Sequence, residues 1–294
     1  MGNSARRYSA SHGRRFRHDS DASPSVDFCS KRLGVGRSAS YLLGMQDRLF
    51  EDPELVQFYD IENGWGDDSR YCLELARGKR SVLDLGCGTG MLAAALAPGR
   101  EVFGVDPAAA MLMRAREREG GSAVTWVKAD ARSVRLGRCF ELIVLTGHAF
   151  QVFLTDDDQL AVCETIAAHL APSGTFTFDS RDPSREDWRK WARGSSLRVI
   201  AHPTLGRIEA WNDMAYEPST EILTYWTFYR ASDGRAWEAQ SRIRFADKKG
   251  IGTRIARAGI RVDRWMGNWC GDQWTPEAKE IIPVGSLAKP VRNS

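Results

Sequence analysis

Between residues 81 and 178, short apolar runs alternate with segments of helical spacing. Ser81–Leu85, Val102–Val105, Val124–Lys128, Leu142–Leu145 and Thr175–Phe178 read as strands of branched, apolar or aromatic side chains. Met91–Leu96 and Ala108–Arg118 lie between them with helical texture. A further helix opens at Thr155, which caps an acidic first turn and leaves Leu160, Cys163, Ile166 and Leu170 on one face. Pro172-Ser173-Gly174 predicts a turn into Thr175–Phe178. Alternation of this length predicts a parallel sheet with helices on both faces, and ligands in such sheets sit beyond the carboxyl ends of the strands.

The flanks have a different texture. From Asp52 to Arg77 the pattern is helical but interrupted. Leu55, Phe58 and Tyr59 share a face, the run from Asn63 to Asp68 breaks it, and Asp67 or Asp68 is placed to cap a second helix that ends at Gly78. After Pro183, three aromatic-rich strands are expected at Arg207–Glu217, Ile222–Arg230 and Trp237–Phe245. The turns at Pro218-Ser219 and Asp233-Gly234 are short enough to force antiparallel pairing. Tyr225, Thr227 and Tyr229 then point one way, Trp226 and Phe228 the other. Eight of the ten tryptophans fall between 188 and 274, forming either the core of this small sheet or an aromatic wall facing a substrate. Ile251–Gly259 reads as a last helix, and Arg261–Met266 and Ile281–Val284 as closing strands.

Residues 1–44 show no sustained periodicity. They hold nine serines and eight Lys/Arg against three Asp, so the basic excess of the whole chain, +3, lies here and the remainder is slightly acidic. The segment fits a disordered basic tail, an Arg/Ser-rich presequence, or an over-extended start ahead of Met45. The acidic balance of the rest argues against a nucleic-acid enzyme. The longest clean apolar run, Met91 to Ala97, is too short to cross a bilayer. Six cysteines with no CxxC pair make a zinc site and a disulfide scaffold unexpected and fit a reducing, cytoplasmic setting. The expected organisation is a tail over 1–44, a helical cap and core over 45–183, an inserted sheet over 184–248, and closing elements over 249–294.

The chemistry concentrates after the first strand, in Val82-Leu83-Asp84-Leu85-Gly86-Cys87-Gly88-Thr89-Gly90. Glycines let the backbone turn sharply and approach a ligand. Asp106 ends the next strand, 20 residues after Gly86, where a carboxylate can take two ribose hydroxyls, and Asp130-Ala131 ends the third, where an adenine edge would lie. Position 91 is Met, which departs from the dinucleotide pattern GxGxxG, and no Gly-Lys-Ser/Thr follows to make a P-loop.

With these motifs the sequence resembles the class I S-adenosylmethionine (SAM)-dependent methyltransferases. VLDLGCGTG matches their glycine loop, GVDPAAAML their second motif, KADAR the third, and LAPSGTFTF the turn and strand after the fourth helix. The resemblance covers roughly residues 50–180 and a similar ending in ARAGIRVDRWMGNW and EIIPV. It implies a Rossmann-like α/β fold with a mostly parallel sheet and an antiparallel sheet inserted after the fifth strand, as in bacterial small-molecule methyltransferases. It implies that Asp84 orients the loop and approaches the amino group of SAM. Gly86, Cys87, Gly88 and Gly90 would surround the cofactor, with Cys87 either a reactive thiol or, on the plainer reading, a buried filler. Asp106 would bind ribose, Pro107 and Met111 would cover adenine, Asp130 and Ala131 would read the adenine edge, and Thr146 would contact the methionine part. Arg70 would pair with the SAM carboxylate, Tyr59 would line the transfer channel, and Trp65 and Trp269 would border the acceptor.

His148 follows the fourth strand and is the candidate base, since imidazole takes a proton near neutral pH; the alternative is a structural histidine. His169 is expected to be solvated or capping. The expected activity is methyl transfer to nitrogen or oxygen of a small molecule by a monomer or homodimer. The alternatives are C-methylation of an aromatic ring and a SAM-binding module without turnover. No metal, nucleic acid or membrane partner is expected. A chain begun at Met45 should retain its fold and SAM affinity; a melting temperature lower by more than a few degrees would show that residues 1–44 pack.

Overall fold

The computed structural model describes residues 47–288. The tail expected over 1–44 lies outside the described residues. Seven strands form the main sheet: β1 (Ser81–Leu85), β2 (Glu101–Asp106), β3 (Val124–Lys128), β4 (Phe140–Leu145), β5 (Leu170–Phe178), β11 (Ile260–Met266) and β12 (Glu280–Leu287). Their order is β11-β12-β5-β4-β1-β2-β3, and a two-residue strand, β6 (Ser180–Arg181), pairs with β12 beside this path. Strands β1 to β5 are mutually parallel, and β12 and β11 close the sheet antiparallel. The chain proceeds from β1 through β2 to β3 in one direction and from β4 to β5 in the other. The connections therefore diverge between β1 and β4 and leave a crevice at the carboxyl ends.

Val82 to Leu85 are all buried along β1 because both faces of the sheet are covered. Leu83 and Leu85 join a core with Ile143, Phe176, Ile166 and Ile255, under the helices Asp156–His169 and Lys248–Arg257. Val82 points the other way, to Leu92, Leu96, Leu142 and Cys72, under the helices Met91–Leu96 and Asp67–Leu75. Among the described residues no helix is long and apolar enough to cross a membrane.

Three local expectations change. Gly66 takes the N-cap position of Asp67–Leu75, so Asp67 and Asp68 lie in its first turn, where carboxylates favour the helix dipole. β5 starts at Leu170, directly after the helix, and Pro172–Gly174 lie inside it as a bulge. The pairing jumps from Phe140↔Leu170 to Leu142↔Thr175, and a Cβ on Gly174 would sit 2.9 Å from the Phe140 carbonyl oxygen. His169 is buried rather than solvated. Its Nδ1–H donates to the Thr165 carbonyl at 2.8 Å and its Nε2 accepts from the Leu136 N–H at 2.9 Å.

The inserted sheet runs in the order β10-β9-β8-β7, antiparallel throughout: β7 (Arg198–His202), β8 (Gly206–Glu217), β9 (Ile222–Ala231) and β10 (Ala236–Arg244). β7 was not expected; it is a short edge strand with Val199 exposed, so it carries little alternation. Short helices at Arg48–Glu51, Pro53–Val56 and Tyr59–Glu62 pack against this sheet. Leu55 and Phe58 join Ile208, Ala210 and Tyr229, and the Phe58 and Tyr229 rings stack at 4.1 Å. Glu62 fixes the contact by accepting from Arg198 at 2.5 and 2.7 Å and from the Tyr229 hydroxyl at 2.7 Å. The segment is also tied to the glycine loop, since the Thr89 hydroxyl donates to Asp60 at 2.5 Å and Arg118 bridges both residues.

Gly90 is a tightly packed point of the glycine loop. Its φ is +74°, and a Cβ there would lie 2.4 Å from the Trp126 ring and 2.8 Å from Ala115 Cβ. Gly90→Ala combines left-handed strain with overpacking and should cost roughly 2–4 kcal/mol. Thermal unfolding should move down by roughly 5–15 °C. An unchanged melting temperature would show that the loop is free to rearrange.

Candidate active site

The carboxyl ends of β1 to β4, the short N-terminal helices and one face of the inserted sheet enclose a cavity of about 820 Å³. That size suits a nucleoside-sized molecule together with a small second ligand. Gly86 and Gly88 line it, both with positive φ, and the Tyr59 ring lies 3.7 Å from where a Gly88 Cβ would stand.

Asp106 braces the loop from β2. One carboxylate oxygen accepts from the Gly88 N–H and the other from the Ala108 N–H, both at 2.9 Å. Each oxygen retains a lone pair for a hydroxyl group. Burial pushes its pKa up, and these two N–H groups oppose the shift. Asp84 lies deeper, at 2% exposure, and does not reach the cavity wall. Burial, reinforced by the Asp106 charge, pushes its carboxyl up to about 7. Glu51, which the sequence pattern did not mark, also lines the cavity and accepts from the Ala109 N–H at 3.2 Å.

Pro107, Met111 and Ala131 border the same side of the cavity. Asp130 lines it too, but its carboxylate is already clamped by Arg132, with Nη2 to Oδ2 at 2.6 Å. Burial would raise the Asp130 pKa; the Arg132 guanidinium outweighs it and holds the carboxyl below its ordinary value. Its strongest hydrogen-bond partner is therefore within the protein, which leaves the Ala131 backbone freer to meet a base edge than the Asp130 side chain expected to do so.

Thr146, Gly147 and His148 reach the cavity from β4. His148 is held at φ +61°, in the left-handed region, with its N–H donating to Asp179 Oδ1 at 2.9 Å. Its Nε2 lies 3.1 Å from both Glu280 oxygens and 3.6 Å from Asp179 Oδ2. Burial pushes His148 down to about 4 and Glu280 up to about 7. Both shifts favour a neutral imidazole and a protonated carboxyl that share one proton across the contact. The His, Asp and Glu ligand atoms all lie within 4.8 Å of one another, close enough to bracket a divalent cation as well.

Several expected site residues stand elsewhere. Arg70 pairs with Asp67 at 2.8 Å on the outer surface, each about 60% exposed, because the helix turns this face to solvent. Trp65 is exposed and does not line the cavity. Trp269 lies behind the wall, its ring 5.6 Å from Tyr71 and its Nε1–H 3.4 Å from Asp179 Oδ2, so it supports Asp179 and does not border a ligand. Cys87 packs toward Gly104, and burial pushes its thiol well up, the opposite of what a thiolate nucleophile needs. Gly90 packs against Trp126 and is not part of the cavity lining. Tyr59 lines the cavity, and burial pushes its hydroxyl up, so it stays neutral. Of the aromatic cluster, Trp191 and Tyr225 reach the cavity, whereas Trp188 is buried on Tyr216 and Phe245. Asp179 could have been found, since it follows β5 as Asp106 ends β2. Glu280, Arg181 and Glu62 carried no local signal.

Comparison with known proteins agrees with this fold. A methyltransferase domain model matches residues 82–174. The cypemycin N-terminal methyltransferase of a Streptomyces species is 27% identical over 208 residues, spanning 70% of this chain and 82% of that protein. In fold, the CcbJ methyltransferase of Streptomyces caelestis superposes with a TM-score of 0.66 at 20% identity, covering 79% of this chain and 96% of its own. The sugar N-methyltransferase KedS8 of Streptoalloteichus gives 0.64 at 18% identity, covering 87% and 99%. Taken with the glycine loop, the braced strand-end aspartate and the strand order, these likenesses show a methyltransferase domain over residues 82–174 in a chain with the Rossmann-like fold of the S-adenosylmethionine-dependent methyltransferases, the family it resembles.

Proposed function

We propose that the protein methylates an amine nitrogen of a small-molecule acceptor held between His148 and the inserted sheet. The observation that carries this reading is the His148–Asp179–Glu280 cluster on the cavity wall, a buried acid–base group at the sheet edge where the chemistry of this fold takes place. The relative named as an N-terminal methyltransferase supports nitrogen as the acceptor atom.

The residues present fit the cofactor. Gly86 and Gly88 bare their backbone to the cavity, the Asp106 carboxylate is fixed for hydroxyl donors, and Met111 and Ala131 offer apolar cover for a base. Bound there, SAM supplies a methyl group that is already electrophilic on its sulfonium. The chain's own work is then to orient the acceptor, exclude water and take a proton. Orientation of this kind is worth on the order of 7–11 kcal/mol of barrier. Asp179 and Glu280 favour an ammonium electrostatically, and the His148–Glu280 pair takes its proton. Glu280, raised to about 7, makes that pair a base near neutral pH.

Asp106→Ala removes two braced acceptor positions and should weaken SAM and S-adenosylhomocysteine binding by roughly 1.5–3 kcal/mol in calorimetry. Unchanged affinity would place the ribose elsewhere.

His148→Ala should leave cofactor affinity within about threefold while lowering kcat by roughly 10²–10⁴-fold. Near-normal kcat would remove His148 from the reaction. Because the Glu280 value is raised, this carboxyl is protonated below about 7 and the pair then has no room for another proton. The rate should therefore fall as pH drops through about 7, not through the ordinary histidine range, and Glu280→Gln should abolish that limb with the same acceptor. Dialysis against a chelator should leave the rate unchanged; activity lost and then restored by Mg²⁺ would reassign the cluster as a metal site.

A further inference from the structure

Arg181 lines the cavity beside the His148–Asp179–Glu280 cluster, and cofactor binding and proton transfer leave it unused. It belongs to β6, beside Asp179, and faces Glu280 across the β6–β12 pair. The side chain lines the cavity. Its Nη1 donates to Gln151 Oε1 at 2.9 Å, and among the described residues no carboxylate lies within ion-pair distance of its guanidinium. Nε and Nη2 find no protein acceptor and are not sealed from the cavity.

The group is held in place. Gln151 is fully buried, and its own Nε2 donates to the Arg244 carbonyl at 3.0 Å, which fixes the oxygen that holds Arg181. The Trp191 ring lies 5.0 Å from Arg181 Cζ, and Trp191 and Tyr225 meet edge-to-face at 5.6 Å, both on the cavity wall. A planar fork with two free donors, backed by a ring and pinned by a locked amide, is organised for an oxyanion. Burial holds its pKa down, and the nearby Glu280 and Asp179 charges oppose that shift without a direct ion pair, so an anion hydrogen-bonded to the free donors would restore more of what desolvation removed. The wall is thus divided by sign, with Asp179 and Glu280 on one side and Arg181 beside them.

We infer that the acceptor carries an oxyanion, carboxylate or phosphate, on the same molecule as the methylated atom, and that Arg181 binds it through Nε and Nη2. This rests on the amine reading above for the identity of the methylated atom, but not for the anion. The acceptor class is then a zwitterionic amine such as an amino acid, an acidic peptide-like amine or an amino-sugar phosphate, with the ammonium toward His148 and the anion toward Arg181.

The test uses matched acceptors with the purified full chain and SAM, read as a mass gain of one methylene. Amino acids are paired with their amides, amino-sugar phosphates with the free amino sugars, and hydroxy acids with their amides. In at least one series the anionic member should exceed its neutral partner in kcat/KM by roughly 10- to 100-fold, mostly through KM. The series that responds distinguishes carboxylate from phosphate. Arg181→Gln should erase that preference and Arg181→Lys should keep part of it, while calorimetric S-adenosylhomocysteine affinity stays at the parent value. Equal turnover of both members by the parent, or an Arg181→Gln variant that slows both members alike, overturns the inference and makes Arg181 a group that only tunes Glu280. Turnover confined to the hydroxy acids would defeat the amine reading, and the acid-to-amide ratio in that series would still decide Arg181. No turnover in any series by a protein that binds S-adenosylhomocysteine would overturn both.

Discussion

The site depends on how closely the chain can fold back between β1 and the helix that follows it. Gly90 leaves no room for a methyl group against Trp126 and Ala115, and Gly86 leaves little against Ala149 and Leu145. Glycine at 86, 88 and 90, each at positive φ, lets the chain turn here while Gly88 donates to Asp106. That hydrogen bond ties the end of β1 to the end of β2, and the relative position of these two ends sets the glycine-loop side of the cavity. The divergence of connections between β1 and β4 opens the other side, where His148 enters.

A second dependence runs through the short N-terminal helices. Leu55, Val56 and Phe58 bury in the core, and polar contacts hold the segment at both ends: Asp60 to Thr89 and Arg118 beside the glycine loop, Glu62 to Arg198 and Tyr229 on the inserted sheet. Truncating one partner of such a half-buried charge pair leaves the other unsatisfied, which costs more than the pair itself contributes. The segment therefore joins the two sheets and roofs the cavity, and Tyr59 reaches the cavity because both anchors hold.

The cavity's electrostatics follow from burying acids beside a histidine. Asp84 and Glu280 rise to about 7 for lack of solvent, and His148 falls to about 4 for the same reason. For stability the signs oppose one another. The carboxyl groups contribute most below their unfolded values and lose that contribution as pH rises through about 7; the histidine contribution is lost as pH falls below its unfolded value of 6.5 toward about 4. The same burial that costs stability brings the Glu280 carboxyl near neutrality beside His148.

The sequence by itself determined most of the strands of both sheets, though not β6 or β7, together with their order of appearance and the glycine loop. Each of these is written in local pattern: apolar runs of strand length, a glycine loop that no other residue fits, an aspartate closing β2. It also placed His148 at the end of β4. Tertiary structure alone decided who faces whom. Glu280 lies 132 positions from His148 in sequence and meets it only because β12 inserts beside β5 and β6. Arg70 and Trp269 carried suitable chemistry, but the rotation of one helix and the path of one loop turned them to solvent or behind the wall. Asp130 sits at its expected strand end, yet Arg132, two residues on, folds back onto its carboxylate. Local pattern fixes which backbone segments exist and where they end; the direction and partner of a side chain depend on contacts made across the fold, which no local window contains.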